Sequence, residues 1–285
     1  MSSLPERSES QIDDFRFEPK AHVYTLNGKP MHGVTSILGV ISKPALVPWA
    51  ARMAVEYIKE NSLTATSTVA DADGRPEEVL NYYKVYEETL DEAKNAHRKK
   101  KEDEAEKGTD VHALVEEWVG LCIEYNAGEP KLVFQLAERM YILPSAIDAF
   151  ARWATKEKIR FIASEQRLYS KQLWVAGTCD LIFEKDGKRY IGDIKTYKKI
   201  WDRVPLIQCA GYALMWEEMQ IAEQTKDLQN GDIIVAKQID GYCVIRIKDN
   251  EFEAVWSGDP EGDKQAFLAA VTLYKALKNW GVAEI

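Results

Sequence analysis

The order of apolar, turn-forming and charged positions along the chain predicts helices first, then three strands, a helix, two strands and a closing helix. Residues 15–34 read as a short hairpin: Phe15 and Phe17, then Val23, Tyr24 and Leu26, flank Asn27-Gly28, a strong tight-turn dipeptide. Thr35 or Ser36 caps a short helix, and Pro48 starts another that carries Trp49, Met53 and Tyr57. The stretch 61–75, rich in Ser, Thr, Ala, Asp and Gly, reads as an exposed loop. Pro76 stands where a first helical position belongs, with Glu77 and Glu78 near the positive helix end. It opens a long helical region with a break expected near Gly108, where Gly108-Thr109-Asp110 offers a second start into VHALVEEWVGLCIEY. A further helix is expected from Pro144 to Lys158.

The character then changes. FIASEQRLYS (161–170), LWVAGTCDLIFEK (173–185) and KRYIGDIKT (188–196) carry the β-branched and aromatic residues of strands. Asp186-Gly187 joins the second to the third as a tight turn. Helix returns from about Val204 to Ala222, followed by a hairpin of DIIVAKQI (232–239) and YCVIRIK (242–248) across Asp240-Gly241. Asp259-Pro260 opens a terminal helix to about Asn279. This order implies an α/β fold, a central mixed β-sheet flanked by helices, with an N-terminal, mostly helical extension. The expected division is 1–104 for the hairpin and helical region and 105–285 for the core, the two forming one compact unit.

Composition changes this picture little. The chain has 285 residues, 46% of them hydrophobic, enough to bury a sizeable core. No apolar run approaches the ~18 residues that would cross a bilayer, and the polar, acidic start MSSLPERSESQIDDF is unlike a signal peptide. A soluble, cytoplasmic protein with no membrane partner is expected. Cys122, Cys179, Cys209 and Cys243 are dispersed with no CxxC pair, so they read as reduced, buried thiols rather than a zinc or compact iron–sulfur motif. Lys+Arg number 37 against 46 Asp+Glu, a net charge of −9. A nonspecific DNA binder usually shows a basic face, so composition alone does not suggest nucleic acid. The HRKKKEDEAEK run (97–107) spaces Arg98–Glu102, Lys99–Asp103 and Lys100–Glu104 for i,i+4 pairing, and reads as a solvated, self-paired helix face.

The candidate chemistry lies in GTCDLIFEKDGKRYIGDIKT (177–196). Side chains alternate along a strand, so Asp193 and Lys195 share a face while Ile194 points away. The shared turn can bring Asp180 beside Asp193. Two adjacent carboxylates repel unless something positive lies between them, and Mg²⁺ or Mn²⁺ suits oxygen ligands and shares phosphate oxygens readily. Lys195 would then orient water or offset charge on a phosphate. The competing reading is a salt-bridged surface hairpin. His112 and Glu116 are i,i+4 on a helix but do not make the HExxH zinc pattern; a neutral imidazole would add one ligand to an oxygen-rich site. Glu165, on the preceding strand, could support a metal or orient Lys195. Gln208 and Tyr212 are again i,i+4, with an amide and a phenol suited to phosphate or base contact.

In order, KGTDVH (107–112), Glu165, GTCD (177–180), GDIK (192–195) and QCAGY (208–212) resemble the RecB-like branch of the PD-(D/E)XK nuclease superfamily. The match covers roughly residues 105–220, and VYTLNGKPMHGVTSIL…PWAARMA (23–54) resembles the leader of phage-encoded members. The resemblance implies a Mg²⁺- or Mn²⁺-dependent deoxyribonuclease, with an end-acting exonuclease in phage or bacterial DNA recombination as the favoured form and 5′-phosphate products. It implies metal ligation by His112, Asp180, Asp193 and the Ile194 carbonyl, and Lys195 as the catalytic lysine alongside Asp180, Asp193 and Glu165. Gln208 and Tyr212 would contact DNA. A single-strand annealing or recombination protein is a candidate partner, and the host cytoplasm the location if the chain is phage-encoded. The second carboxylate is Asp rather than Glu. No cysteine precedes His112 and only Cys243 follows the Gln-x-x-x-Tyr helix, so no iron–sulfur cluster is expected. The alternatives are a weak or inactive nuclease-fold DNA-binding protein, a structure-specific endonuclease, and an unrelated metal hydrolase of small phosphate esters. The acidic net charge predicts a narrow basic groove in place of a broad basic face.

Overall fold

The computed structural model describes residues 13–41, 46–61, 77–140, 143–197, 199–200, 202–230, 238–248 and 251–279. The chain divides into two compact units, Met1–Ile41 with Val111–Ile285, and Ser42–Asp110. The boundary expected from sequence is 104/105, within one compact unit. The N-terminal hairpin belongs with the sheet, because Tyr24, Leu26 and Met31 are buried in one cluster with Ala176 of a central strand.

In the Ser42–Asp110 unit, Tyr57 of α2 (Leu46–Asn61) donates a hydrogen bond to the Glu92 carboxylate of α3 (Glu77–Asn126). Trp49 meets His97 edge-on at 6.4 Å. Helix α3 is continuous for 50 residues, and the divide between the units falls inside it. The break expected at Gly108 does not form. A helix-interior glycine costs only about 1 kcal/mol relative to alanine, and the Lys, Glu and Ala around it are strong helix formers. Pro76 and all but the first residue of the expected 61–75 loop lie outside the described residues, as do the side chains of Asp103 and Glu104.

The larger unit begins with β1 (Phe15–Glu18), β2 (Val23–Leu26) and β3 (Lys29–Pro30), an antiparallel three-stranded sheet. Asn27-Gly28 joins β2 to β3 with φ of 50° and 74°, so the tight turn sits one strand later than Phe15 and Phe17 suggested. Then come β4 (His32–Gly33), α1 (Val34–Leu38), the end of α3, α4 (Pro130–Met140) and α5 (Ser145–Lys156). After them follow β5 (Arg160–Ser170), β6 (Val175–Lys185), β7 (Lys188–Lys195), α6 (Val204–Asn230), β8 (Gly241–Lys248), β9 (Glu251–Trp256) and α7 (Pro260–Asn279). Helix α4 and strand β9 are not among the elements expected from sequence, and α6 runs past Ala222.

The central sheet is mixed, in the order β5-β6-β7-β8-β9, with β4 parallel to the start of β6. Strands β7 and β8 are parallel, which requires a crossover, and α6 supplies it. Both edges of β8 are filled, by β7 and by β9. Most of the first strand of the hairpin expected across Asp240-Gly241 lies outside the described residues; Asp240 Oδ2 accepts from the Arg189 backbone N–H at 2.7 Å. Residues 231–237 lie outside the described residues. One sheet face packs on α1, α6 and α7 through Ile37, Cys179, Ile191, Ala213, Val244 and Phe267. The other packs on α3 and α5 through Val115, Trp118, Phe150, Phe161, Leu181 and Ile245. This is an α/β fold with a mixed sheet flanked by helices. Among the described residues no helix is long and apolar enough to cross a membrane.

The β6–β7 turn sets everything downstream. Asp186 and Gly187 have φ of 51° and 76°, the mirror-image turn whose twist matches the flanking strands. A Cβ at Gly187 would meet open space, so an alanine there is strained by its backbone alone. Gly187→Ala is expected to lower unfolding free energy in urea by about 1–2 kcal/mol. Gly258→Ala, also in open space but without a positive φ, is expected to change it little.

Candidate metal centre

The Asp186-Gly187 turn fixes the β6–β7 register from Lys185↔Lys188 to Leu181↔Gly192. One further step would oppose Asp180 and Asp193, but there the ladder stops. Asp180 turns its side chain into the opening, and its Oδ2 accepts the Ile194 N–H at 2.7 Å. Along the same edge β4 pairs only at Val175 and Ala176. Between these two partners, β6 keeps a short open edge that ends at Asp180.

Glu165 lies across β6 on the other side. Its neighbours pair as Ser164↔Leu181 and Gln166↔Cys179, which sets Glu165 opposite Asp180. Glu165 has φ 47°, the left-handed region that costs a non-glycine residue roughly 1–3 kcal/mol. Helix α3 brings His112 over the pair, with Nδ1 3.7 Å from Asp180 Oδ2. One ligand atom each from His112, Glu165 and Asp180 lies within 4.8 Å of the others. This trio differs from the expected one: Glu165 joins the cluster directly, while Asp193 stands beside it.

Asp193 is fully buried, and the Lys195 ammonium approaches its Oδ2 at 2.6 Å. Apart from that ion pair, neither Asp193 oxygen has a hydrogen-bond partner among the described residues. Asp193 and Lys195 share one face, as alternation predicts, and the Ile194 side chain packs at 2% exposure into the core under α3 and α5. The Ile194 backbone faces the cluster, its N–H donating to Asp180.

These contacts decide the charges. Burial pushes Asp193 up to about 6, opposed by Lys195 and reinforced by Asp180. Burial likewise pushes Glu165 up to about 7, with Asp180 and Glu116 adding repulsion. Asp180 is also raised by burial, against the pull of Lys195 and the Ile194 N–H. Burial lowers His112 and keeps its imidazole neutral, despite the nearby Asp193. For Lys195, burial alone would lower the pKa, but Asp193 and Asp180 outweigh it and raise it. Carboxylates held in a desolvated cluster, two of their oxygens with no partner among the described residues beyond the Lys195 ammonium, and a neutral imidazole make a donor set that fits a hard divalent cation.

The Gln208 amide donates to the Tyr212 hydroxyl at 2.9 Å. Gln208 is part-exposed, but Tyr212 is only 3% exposed and packs over Gly177. A Cβ on Gly177 would come within 2.8 Å of the Tyr212 ring and 3.1 Å of Val34, so the glycine makes room for the ring. Of the two residues expected to contact DNA, Gln208 is thus the more exposed and Tyr212 the buried one. Tyr197, two positions beyond Lys195, was missed from sequence. Burial pushes its phenol up to about 12, and Lys195 and Asp193 both act on it. Its spacing from Lys195 was the available signal. A groove of about 470 Å³ lined by Ala113, Glu116, Glu117, Gly120, Ile123, Glu124 and Ser164 carries three glutamates and no basic residue, unlike the basic groove expected from the net charge. The apolar cavity of about 320 Å³ between α3, α4 and α5, lined by Leu114, Trp118, Val133 and Ile147, does not include the carboxylate cluster.

Two outcomes follow from this arrangement. Folded Asp193 and Glu165 titrate above their ordinary values near 3.8 and 4.5, so the stability their protonation gives is complete below those values. It is lost as pH rises through about 6 and about 7, while His112 becomes more readily neutral. A divalent cation needs the carboxylates ionised and the imidazole neutral. Adding Mg²⁺ should therefore raise the calorimetric melting temperature more at pH 8 than at pH 5. Gly177→Ala should cost about 1–3 kcal/mol by crowding Tyr212, read by urea unfolding, with a weaker loss for Tyr212→Phe.

No family model and no curated protein matches the chain. Among solved structures, one titled "Crystal structure of SSO0001" aligns at 13% identity over 57% of this chain and 74% of its own, with a TM-score of 0.24, a likeness too low to carry an argument.

Proposed function

We propose that the chain is a metal-dependent DNA exonuclease of the RecB-like PD-(D/E)XK type. The observation that carries this reading is the convergence of His112, Glu165 and Asp180 within 4.8 Å, beside the buried Asp193–Lys195 pair. Side chains from α3, β5 and β6 meet there at the end of β7, which is more than a salt-bridged surface hairpin requires.

In this reading His112, Asp180, Asp193 and the Ile194 carbonyl hold Mg²⁺ or Mn²⁺, with Glu165 as a further carboxylate. When bound, the ion supplies a water of lowered pKa and offsets charge on the phosphate. Lys195, kept charged by two carboxylates, donates to a phosphate oxygen or to the attacking water. The Ile194 N–H fixes the Asp180 carboxylate, so that residue needs no reorganisation to serve as a ligand. Gln208, oriented by Tyr212, contacts the strand near the cleaved bond. Products carry 5′-phosphates. The preference for exonuclease over endonuclease rests on the motif order shared with end-processing enzymes. A role in phage or bacterial recombination, with an annealing protein as partner, follows from the same likeness.

Incubation with Mg²⁺ and either linear or closed-circular DNA tests this. Linear DNA should be degraded progressively and the circle spared; efficient cutting of the circle would overturn the exonuclease assignment. Asp193→Ala and Lys195→Ala should each abolish cleavage, and cleavage surviving both would remove the centre from these residues.

A further inference from the structure

The cations of the β5–β6 hairpin are nearly all neutralised. Arg160 pairs with Glu184, Lys171 with Asp13 at 2.7 Å, and Lys185 with Asp186 at 2.6 Å. Arg167 is the departure. Its side chain is exposed, and no carboxylate pairs with its guanidinium among the described residues. What holds it is the Phe17 ring, 5.2 Å from the guanidinium carbon. Phe17 is itself stacked on Tyr24 at 4.5 Å and 25°. Tyr24 is anchored in turn, its hydroxyl 2.8 Å from the Thr178 hydroxyl. An exposed arginine is normally free to sweep through several rotamers. Here an aromatic stack built by the N-terminal sheet restrains it, and among the described residues none of its five N–H donors is engaged.

The stack stands next to the candidate metal centre. Arg167 is the cross-strand partner of Thr178, two residues before Asp180 on β6. Two residues of strand span about 7 Å, comparable with one nucleotide of an extended chain. A planar cation with no carboxylate partner among the described residues, carried on β5 two residues along the sheet from Glu165 and Asp180, matches a phosphodiester oxygen. In a chain of net charge −9, such a cation also supplies local attraction that the overall charge does not.

Resting on the nuclease reading for the identity of the substrate, we propose that Arg167, preset by Phe17 and Tyr24, binds a backbone phosphate of the DNA strand adjacent to the phosphate at the metal centre. The contact positions the strand without reading its sequence.

The test measures binding of a short fluorescein-labelled DNA strand by anisotropy, in EDTA, over a series of salt concentrations. Losing one phosphate contact should flatten the slope of log Kd against log salt by about 0.7–0.9. At ~0.1 M salt that corresponds to roughly 5- to 8-fold weaker binding by Arg167→Ala. Arg167→Lys, which keeps the charge, should retain the slope. An Arg167→Ala slope equal to that of the unaltered protein overturns the proposal, as does an unaltered protein that binds no DNA. An unaltered protein that binds with the expected Arg167-dependent slope but cuts no DNA with Mg²⁺ or Mn²⁺ would defeat the nuclease reading and leave the Arg167 contact standing. One that cuts DNA with no Arg167 dependence of the slope would do the reverse.

Discussion

The hydrogen bond from the Ile194 N–H to Asp180 Oδ2 takes the place of the backbone bond that would have continued the β6–β7 ladder. A strand N–H inside a sheet must find an acceptor, and here the acceptor is a carboxylate. The side chain is thereby locked at the sheet opening, with one lone pair committed and the rest turned towards His112 and Glu165. A continuous β6–β7 ladder would satisfy the backbone and leave no such cluster.

Holding acids so close in a desolvated place works against the metal-free fold. Asp193 and Glu165 are pushed to about 6 and about 7 by burial, with a neighbouring carboxylate adding to each shift. Lys195 offsets part of this at one end only, because its ammonium lies against Asp193. The surrounding packing has to hold the arrangement. Large cores on both faces of the sheet do so, with fully buried Ile191 and Phe267 on one side and Phe150 and Phe161 on the other. The left-handed backbone of Glu165 is strain of the same origin, tolerated where rigid neighbours over-determine the conformation.

The N-terminal sheet carries more than its short strands suggest. Tyr24 and Leu26 are nearly fully buried against Ala176, while Phe17 and Tyr24 form the stack beside Thr178 and Arg167. It thus sets an aromatic stack on β6 two residues before Asp180.

Sequence by itself determined the local geometry. Asp186-Gly187 set the hairpin register, and strand alternation put Asp193 and Lys195 on one face with Ile194 on the other, because both follow from short-range backbone rules. The helix periods of α5 and α7 were legible for the same reason. Tertiary structure decided which distant residues meet. Glu165 joins His112 and Asp180 because β5 pairs with β6 at that register, and Tyr212 sinks over Gly177 because α6 packs on the sheet. Strand β8 lies between β7 and β9, partners that the spacing around Asp240-Gly241 does not name. Gly108 stays helical because one unfavourable residue is outweighed by its neighbours. Strand partners and burial depend on contacts far apart in the chain, and local spacing does not encode them.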